Sequence, residues 1–334
     1  MMKNYRVMMV SEGNAKLEEG EVRELAPHEV LVRNMFTGVS AGTERAWSLS
    51  MPNAKSNFPY MPGYSGSGEV VQVGSSVKNL SVGDRVVVNW AGHQLYSILG
   101  RSDLVKIPEG IDMMEACFAH ISSFPMLGVR KLQLELGESC MVLGLGILGV
   151  FAIQFARLSG AIPLFAADFS PERRKLALEL GVDMVFDPAD PDYPKQVKEL
   201  TGGKGVDAIV EVTGNAAALQ TGLTYVARNG RISLLGCTRI SDAPIDFYKY
   251  VHCPGIRLIG SHTMTRPKYE SSPFNWTEPD DYNTFLKLLA AKRIQVKPLI
   301  STVVSPTEAH NIYHMLATTK NPPLGLVFDW TTMV

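Results

Sequence analysis

The sequence predicts an α/β protein of two parts: a β-rich, barrel-like region and a doubly wound parallel sheet with crossover helices. Three observations carry this reading. Short β-branched runs punctuated by glycine fill the first hundred or so residues. From Cys117 onward, strand and helix signals alternate at the spacing of βαβ units. The longest apolar run, Cys140 to Ile153, is 14 residues, which suits a buried strand entering a helix and is too short to span a bilayer.

Composition sets the outer bounds. A chain of 334 residues has room for two hydrophobic cores. With a formal net charge of −1 and scattered lysines and arginines, nothing draws it to nucleic acid or to an acidic membrane surface, so neither is expected as a partner. Cys117, Cys140, Cys237 and Cys253 form no CxxC pair or ligand cluster, which argues against a structural zinc lobe. Lys3 and Arg6 interrupt any early apolar run, so no secretory signal is read, and a cytoplasmic protein with reduced thiols is expected.

In chain order, strands are predicted at Val30–Val32, Glu69–Val73 and Arg85–Val88, with Gly74, Gly83 and Asp84 as breaks and no long helical period before Met113. Cys140–Leu143 reads as a buried strand and Ile147–Leu158 as a helix stopped by Gly160. Pro163–Ala167 is the next strand. Ser170, Pro171 and Glu172 then open a helix, with serine as N-cap and proline in the first turn, that ends at Gly181. Further strands follow at Ala208–Val212, at Ile232–Leu235 after an Asn229-Gly230 turn, and at Ile256–Ile259. The tail holds a loop around Pro273–Pro279, a helix from Asp281 to Lys292, a helix opened by the capping box Ser305-Pro306-Thr307-Glu308, and a strand at Gly325–Phe328.

The strongest motif is Gly144-Leu145-Gly146-Ile147-Leu148-Gly149. It follows an apolar strand, opens an apolar helix, and is followed 19 residues later by Asp168 at the end of the next strand. Gly144 allows the tight turn, Gly146 lets backbone approach a pyrophosphate, and Gly149 lets helix and strand pack closely. The helix start at Ile147 and Leu148 offers unpaired N–H groups and a partial positive charge to phosphates. Asp168 can accept hydrogen bonds from both ribose hydroxyls of NAD and would repel the 2′-phosphate of NADP, so NAD is the expected cofactor. Arg173, five residues on, is a candidate to stack near the adenine or to steady a phosphate. Thr213 and Gly236 follow later strands and are expected beside the nicotinamide half, because ligands of open α/β sheets lie beyond the carboxyl ends of the strands. Cys237 is expected to be a small buried residue and no nucleophile.

These motifs, in this order along nearly the whole chain, resemble the medium-chain dehydrogenase/reductase superfamily. The resemblance rests on the glycine pattern from Gly63 to Gly74, the Gly83-Asp84-Arg85-Val86 turn, the glycine finger, and Gly38-Val39-Ser40-Ala41-Gly42-Thr43-Glu44-Arg45, which is similar to the zinc-type alcohol dehydrogenase branch. It implies a Rossmann domain, 118–271, inserted into a split, β-rich, GroES-like catalytic domain, 1–117 and 272–334. It also implies an active site in an interdomain cleft, a small-molecule substrate, and a homodimer that joins the two central sheets edge to edge.

The sequence departs from that branch where its zinc would sit. Relatives place a cysteine near Ser40, a histidine and a glutamate at Tyr64 and Ser65, and a third ligand near His120. One imidazole with a hydroxyl and a phenol makes a poor Zn²⁺ site, so no metal is expected. The proton must then be handled by side chains. His120 is the candidate shuttle, since the ordinary pKa of histidine suits proton exchange near pH 7. Tyr64 is a candidate hydrogen-bond donor to a developing oxyanion, Ser40 or Thr43 could pass a proton onward, and His93 is a second acid/base candidate. His252, His262, His310 and His314 are read as structural. Phe274 and Trp276 are candidates to cover an apolar or sugar face. The function expected is a zinc-independent, NAD-dependent oxidoreductase acting on a secondary alcohol or ketone, with a sugar or polyol as the candidate class. Two alternatives stay open: a zinc-free quinone or enoyl reductase using NADPH, and a catalytically idle nucleotide-binding sensor.

Overall fold

The computed structural model describes residues 2–100 and 104–333. The chain divides into two compact units, Met1–Ser123 with Glu278–Val334, and Phe124–Thr277. The divisions stand at 123/124 and 277/278, against 117/118 and 271/272 expected.

In chain order the first unit opens with β1 (Lys3–Ser11) and β2 (Asn14–Glu21), then β3 (Glu29–Val39), α1 (Ala41–Ser48), β4 (Ser65–Val73), β5 (Arg85–Asn89), β6 (Tyr96–Gly100), β7 (Val105–Lys106), α2 (Met113–Ala116) and the start of α3 (Ala119–Leu132). The second unit holds β8 (Cys140–Leu143), α4 (Ile147–Leu158), β9 (Leu164–Ala167), α5 (Pro171–Glu179), β10 (Met184–Phe186), α6 (Tyr193–Leu200), β11 (Val206–Glu211), α7 (Ala216–Gly222), β12 (Val226–Leu234) and β13 (Arg257–Gly260). The chain then returns to the first unit with α8 (Glu278–Ala290), β14 (Ile300–Val304), α9 (Ala309–Thr318) and β15 (Gly325–Asp329).

The first unit is built on a seven-stranded sheet, β14-β15-β3-β4-β5-β7, with β6 also paired to β3. Strand β3 is its spine, antiparallel to β15, β4 and β6. Its β-branched residues Val30 and Val32 pack with Val70, Val86 and Val88 of the neighbouring strands, all buried. Each such side chain contributes about 1.5–3 kcal/mol when taken fully out of water. A second cluster joins Val7, Met9 and Val39 to Tyr313, Phe328 and Trp330 of the tail. The returning tail therefore completes the core of this unit.

The second unit is a six-stranded sheet in the order β10-β9-β8-β11-β12-β13, with every pairing parallel. The order reverses between β8 and β11, the place where open α/β sheets bind ligands. Helix α4 is as expected, and nine of its twelve residues are buried, as suits a helix lying on a sheet face.

Five elements differ from the sequence reading. β10 is only three residues with an exposed Met184, too brief for an alternation to show. Helix α1 is an eight-residue helix packed into a β-rich region, and α7 is a seven-residue one. β12 starts at Val226 and runs through the Asn229-Gly230 turn, where the pairing register with β11 shifts between Val206 and Ala208. Before α9, the capping serine Ser305 opens a 3₁₀ turn, Pro306–Glu308, and the α-helix begins only at Ala309.

Candidate active site

The second unit gathers the expected nucleotide-binding residues at the carboxyl ends of its strands: Gly144 after β8, Asp168 after β9, Thr213 after β11 and Gly236 after β12. Gly144 has φ +91°, and a Cβ there would lie 2.8 Å from Thr213 Cγ2. At Gly149 a Cβ would lie 1.9 Å from the Gly144 carbonyl oxygen. Gly146 is different. It is the N-cap of α4 with no side-chain cap, and a Cβ built there meets nothing within 4 Å among the described residues. The first N–H groups of the helix, including those of the buried Ile147 and half-buried Leu148, have no acceptor within their own helix, which suits a diphosphate. The cradle fits a dinucleotide.

Asp168 is also fixed by backbone donors. Its Oδ2 accepts the Leu145 N–H at 2.7 Å and its Oδ1 accepts the Ser170 N–H at 2.8 Å, so the carboxylate ties the finger to the start of α5. Each oxygen keeps lone-pair capacity for a ribose hydroxyl. Arg173 is half-buried on the first turn of α5. The neighbouring Arg174 donates to the Asp168 and Phe169 carbonyls at 2.6 and 3.0 Å and pairs with Asp187 at 3.0 Å. Thr213 is held by Glu211, whose carboxylate accepts the Thr213 N–H at 2.7 Å, the Thr213 hydroxyl, and the Gly214 N–H. Burial pushes the Glu211 pKa up, against the pull of these donors. Gly236 N–H donates to the Glu211 carbonyl at 2.8 Å, and a Cβ at Gly236 would lie 2.2 Å from Gly214 N. Cys237, expected to be buried, is exposed, because the chain leaves the sheet after β12. In the same unit Arg130 lies over the Trp276 ring at 3.8 Å, and Phe274 is exposed in a left-handed conformation, φ +63°.

The first unit brings Tyr64 and His120 together. Their rings pack edge to face at 5.4 Å between centroids, and both residues are buried. Trp90, which is 54% exposed and has φ +53°, lies against both, at 5.0 Å from His120 and 5.2 Å from Tyr64. Trp47 packs on Tyr64 at 6.0 Å. His120 stands on the first turn of α3, and its Nδ1 lies 2.5 Å from the hydroxyl of Tyr282 on α8. That hydroxyl also receives Asn89 Nδ2 at 3.2 Å and donates to Glu278 Oε2 at 3.2 Å.

The other expected residues lie near this cluster in distinct roles. Ser65 donates to the Cys117 carbonyl at 2.5 Å and accepts the Ile121 N–H at 3.4 Å, fastening the α2–α3 corner that carries His120. Burial pushes the Cys117 thiol pKa well up, so it stays a thiol. Ser40 is the buried N-cap of α1, and its N–H donates to Glu44 Oε1 at 2.8 Å; Thr43 is half-buried on the same helix. His93 is fully buried, with Nδ1 at 2.8 Å from Thr37 Oγ1 and Nε2 at 3.1 Å from Glu44 Oε2. The same Glu44 oxygen accepts the Tyr313 hydroxyl, and Thr37 Oγ1 accepts Trp330 Nε1–H at 2.9 Å. Both ring nitrogens of His93 are therefore committed to core partners. Gly63, with φ +94°, lets the loop before Tyr64 pass His93, since a Cβ there would lie 2.5 Å from the imidazole Cδ2.

The donors at the expected ligand positions do not fit a catalytic zinc. Ser40 and Ser65 offer hydroxyls, Tyr64 a phenol, and His120 alone an imidazole. Among the described residues no three His, Cys, Asp or Glu side chains come together as a metal site.

Sequence reasoning did not single out Tyr282, Asn89 or Glu278. Trp90 stands three residues before His93, and nothing in the sequence separates it from an ordinary packing aromatic. Tyr282 carries no local signal, standing 162 residues from His120 in a helix predicted from period alone.

Two family models match the chain: an alcohol dehydrogenase GroES-like domain over residues 26–122 and a zinc-binding dehydrogenase domain over 148–278. The L-threonine 3-dehydrogenase of Pyrococcus furiosus is 31% identical over 327 residues, covering 87% of this chain and 88% of the relative. The 2-dehydro-3-deoxy-L-galactonate 5-dehydrogenase of Pseudoalteromonas atlantica is 27% identical over 323 residues, covering 87% and 89%. A solved structure from Sinorhizobium meliloti 1021, ascribed to the zinc-binding dehydrogenases and bound to NADP, superposes with a TM-score of 0.84 at 19% identity, covering 98% of this chain and 100% of that one. The parallel sheet with its glycine finger, the GroES-like match and these relatives together mean that the chain is an oxidoreductase and belongs to the medium-chain dehydrogenase/reductase superfamily, in its zinc-type alcohol dehydrogenase-like branch.

Proposed function

We propose that this protein interconverts a secondary alcohol and its ketone with NAD, without zinc, and that the substrate is a sugar, sugar acid or polyol. The observation that carries the proposal is His120 packed against Tyr64, at positions where the resemblance to this branch implies metal ligands. A hydroxyl, a phenol and one imidazole bind Zn²⁺ poorly but suit proton exchange with a substrate oxygen. The bound nicotinamide supplies the hydride chemistry. His120 takes the hydroxyl proton of the alcohol or returns it to the ketone, and Tyr64 shapes the wall beside it and faces the developing oxyanion. Ser40 and Thr43 line α1. His93, first considered as a second acid/base, is assigned a holding role, because Thr37 and Glu44 occupy its two nitrogens.

The substrate class is supported by relatives whose names specify dehydrogenation at carbon 5 of a sugar acid and at carbon 3 of threonine. A nicotinamide cofactor is supported by the NADP-bound neighbour and by the open cradle at Gly146. NAD is favoured over NADP by Asp168, whose carboxylate would face the 2′-phosphate. We also propose a homodimer through β13, an open edge of the six-stranded sheet. Light scattering on the purified chain tests that point.

The experiment for function is a fluorescence titration with NADH and NADPH beside elemental analysis, followed by turnover on a sugar and polyol panel. Tight NADH, weak NADPH, no stoichiometric zinc, and turnover lost in His120→Gln are expected. One zinc per chain would overturn the metal-free reading. NADPH preference with turnover of quinones or enones and none of alcohols would replace it with a reductase, and NADH binding with no turnover at all would leave a nucleotide sensor.

A further inference from the structure

We infer that Tyr282 and Glu278 form a proton relay behind His120, carrying protons between the imidazole and the surface of the first unit. The inference deepens the functional reading above and rests on His120 being the group that exchanges the substrate proton.

The hydrogen bonds around one hydroxyl decide the direction of the chain. Tyr282 Oη meets His120 Nδ1 at 2.5 Å, Asn89 Nδ2 at 3.2 Å and Glu278 Oε2 at 3.2 Å. A phenolic hydroxyl has one proton to give and two lone pairs to fill. Asn89 Nδ2 can only donate, and an ionised carboxylate can only accept. The single Tyr282 proton therefore goes to Glu278, and the lone pairs take Asn89 Nδ2–H and a proton on His120 Nδ1. Neutral His120 is thus set as the Nδ1–H tautomer, with its lone pair on Nε2, the nitrogen needed to accept a proton from an alcohol.

The step balances. As the substrate O–H bond breaks, its proton bonds to His120 Nε2. Nδ1–H gives its proton to Tyr282 Oη, whose own proton moves to Glu278 Oε2 and from there to water. No charge is left on the buried ring. In the ketone-reducing direction every transfer reverses, starting from the Nε2–H tautomer that the oxidation leaves behind. Tyr282 and Glu278 stand at i+4 and i on α8, so one helix face presents both groups. His120 and Tyr282 are buried while Glu278 is half-buried, so the chain runs from interior to surface. Tyr282 and Glu278 act through His120 and are positioning and relay residues.

The test reads the tautomer first. Two-bond ¹H–¹⁵N correlation spectra of the imidazoles are recorded on the full chain without cofactor, and the His120 signals are assigned by their loss in His120→Gln. Wild type is expected to show the Nδ1–H pattern for His120, and Tyr282→Phe to shift it toward Nε2–H. A wild-type Nε2–H pattern would overturn the inference. Steady-state kinetics follow on a substrate that wild type turns over. Tyr282→Phe and Glu278→Gln are expected to lose about tenfold or more in kcat with KM within about twofold, and Glu278→Asp to recover part of the loss. Both variants keeping wild-type kcat would also overturn it. A wild-type protein inactive on every alcohol would instead sink the functional reading, and the tautomer result would still decide the hydrogen-bond chain.

Discussion

His93 and Glu44 face each other at 3.1 Å, both wholly buried, with Thr37 on the far imidazole nitrogen and Tyr313 on the same carboxylate oxygen. The carboxylate also takes the Ser40 N–H, so this pair ties β3, α1, α9 and the loop after β5 into one polar node inside an apolar core. Burial, and next the nearby Glu44 charge, push the Tyr313 pKa well up, so the phenol stays protonated and keeps donating.

The node predicts that His93→Ala is a stability mutant. Removing one partner leaves a buried carboxylate one donor short, which costs about 1–3 kcal/mol. A lower unfolding midpoint in urea is expected, with kcat per folded molecule near wild type. A stable His93→Ala with collapsed kcat would return His93 to the proton chemistry.

The finger predicts opposite behaviour for two alanines. Gly149→Ala drives a methyl to 1.9 Å from the Gly144 oxygen, so the strand–helix corner must open and thermal stability falls. Gly146→Ala meets no atom within 4 Å among the described residues, so the fold loses only a cap penalty of about 1 kcal/mol, yet the methyl enters the diphosphate space. NADH titration is expected to show at least about tenfold weaker binding for Gly146→Ala, since an extra group in a close backbone approach excludes the ligand.

Asp168→Ala should change selectivity and stiffness together. Losing the carboxylate removes the repulsion toward a 2′-phosphate, so the NADH to NADPH affinity ratio falls. It also removes the acceptor for the Leu145 and Ser170 N–H groups. Charge-assisted hydrogen bonds are worth about 1.5–3 kcal/mol, so NADH binding itself weakens and the unfolding midpoint drops. A variant that gains NADPH at unchanged NADH affinity would show that the two backbone contacts do not matter.

Glu211 predicts a pH signature. Burial holds its folded pKa above the unfolded value, so between the two the folded protein binds more protons than the unfolded chain. Stability then falls as pH rises through that window, the reverse of a salt-bridged carboxylate. Urea midpoints from the acid range to neutrality, compared with Glu211→Gln, should show wild type losing stability relative to the variant as pH rises. A difference independent of pH would mean that the Thr213 and Gly214 donors cancel the burial.

The nucleotide-binding unit was legible in the chain. Cys140–Leu143, the glycine finger, the helix through Leu158 and Asp168 are neighbours in the chain, and their backbone demands are local: a left-handed turn, a bare N-cap and a close corner. The residue types at Ser40, Tyr64, Ser65 and His120, which offer one imidazole among them, were legible in the chain as well. The wiring of the His120 pocket comes from contacts between distant parts of the chain. Tyr282 reaches His120 from 162 residues away and Asn89 reaches Tyr282 from 193, while Glu44, 49 residues from His93, takes that histidine into the core. Periodicity reports which face of an element is apolar, but a polar partner is chosen by where two distant elements meet, and no local pattern records that meeting.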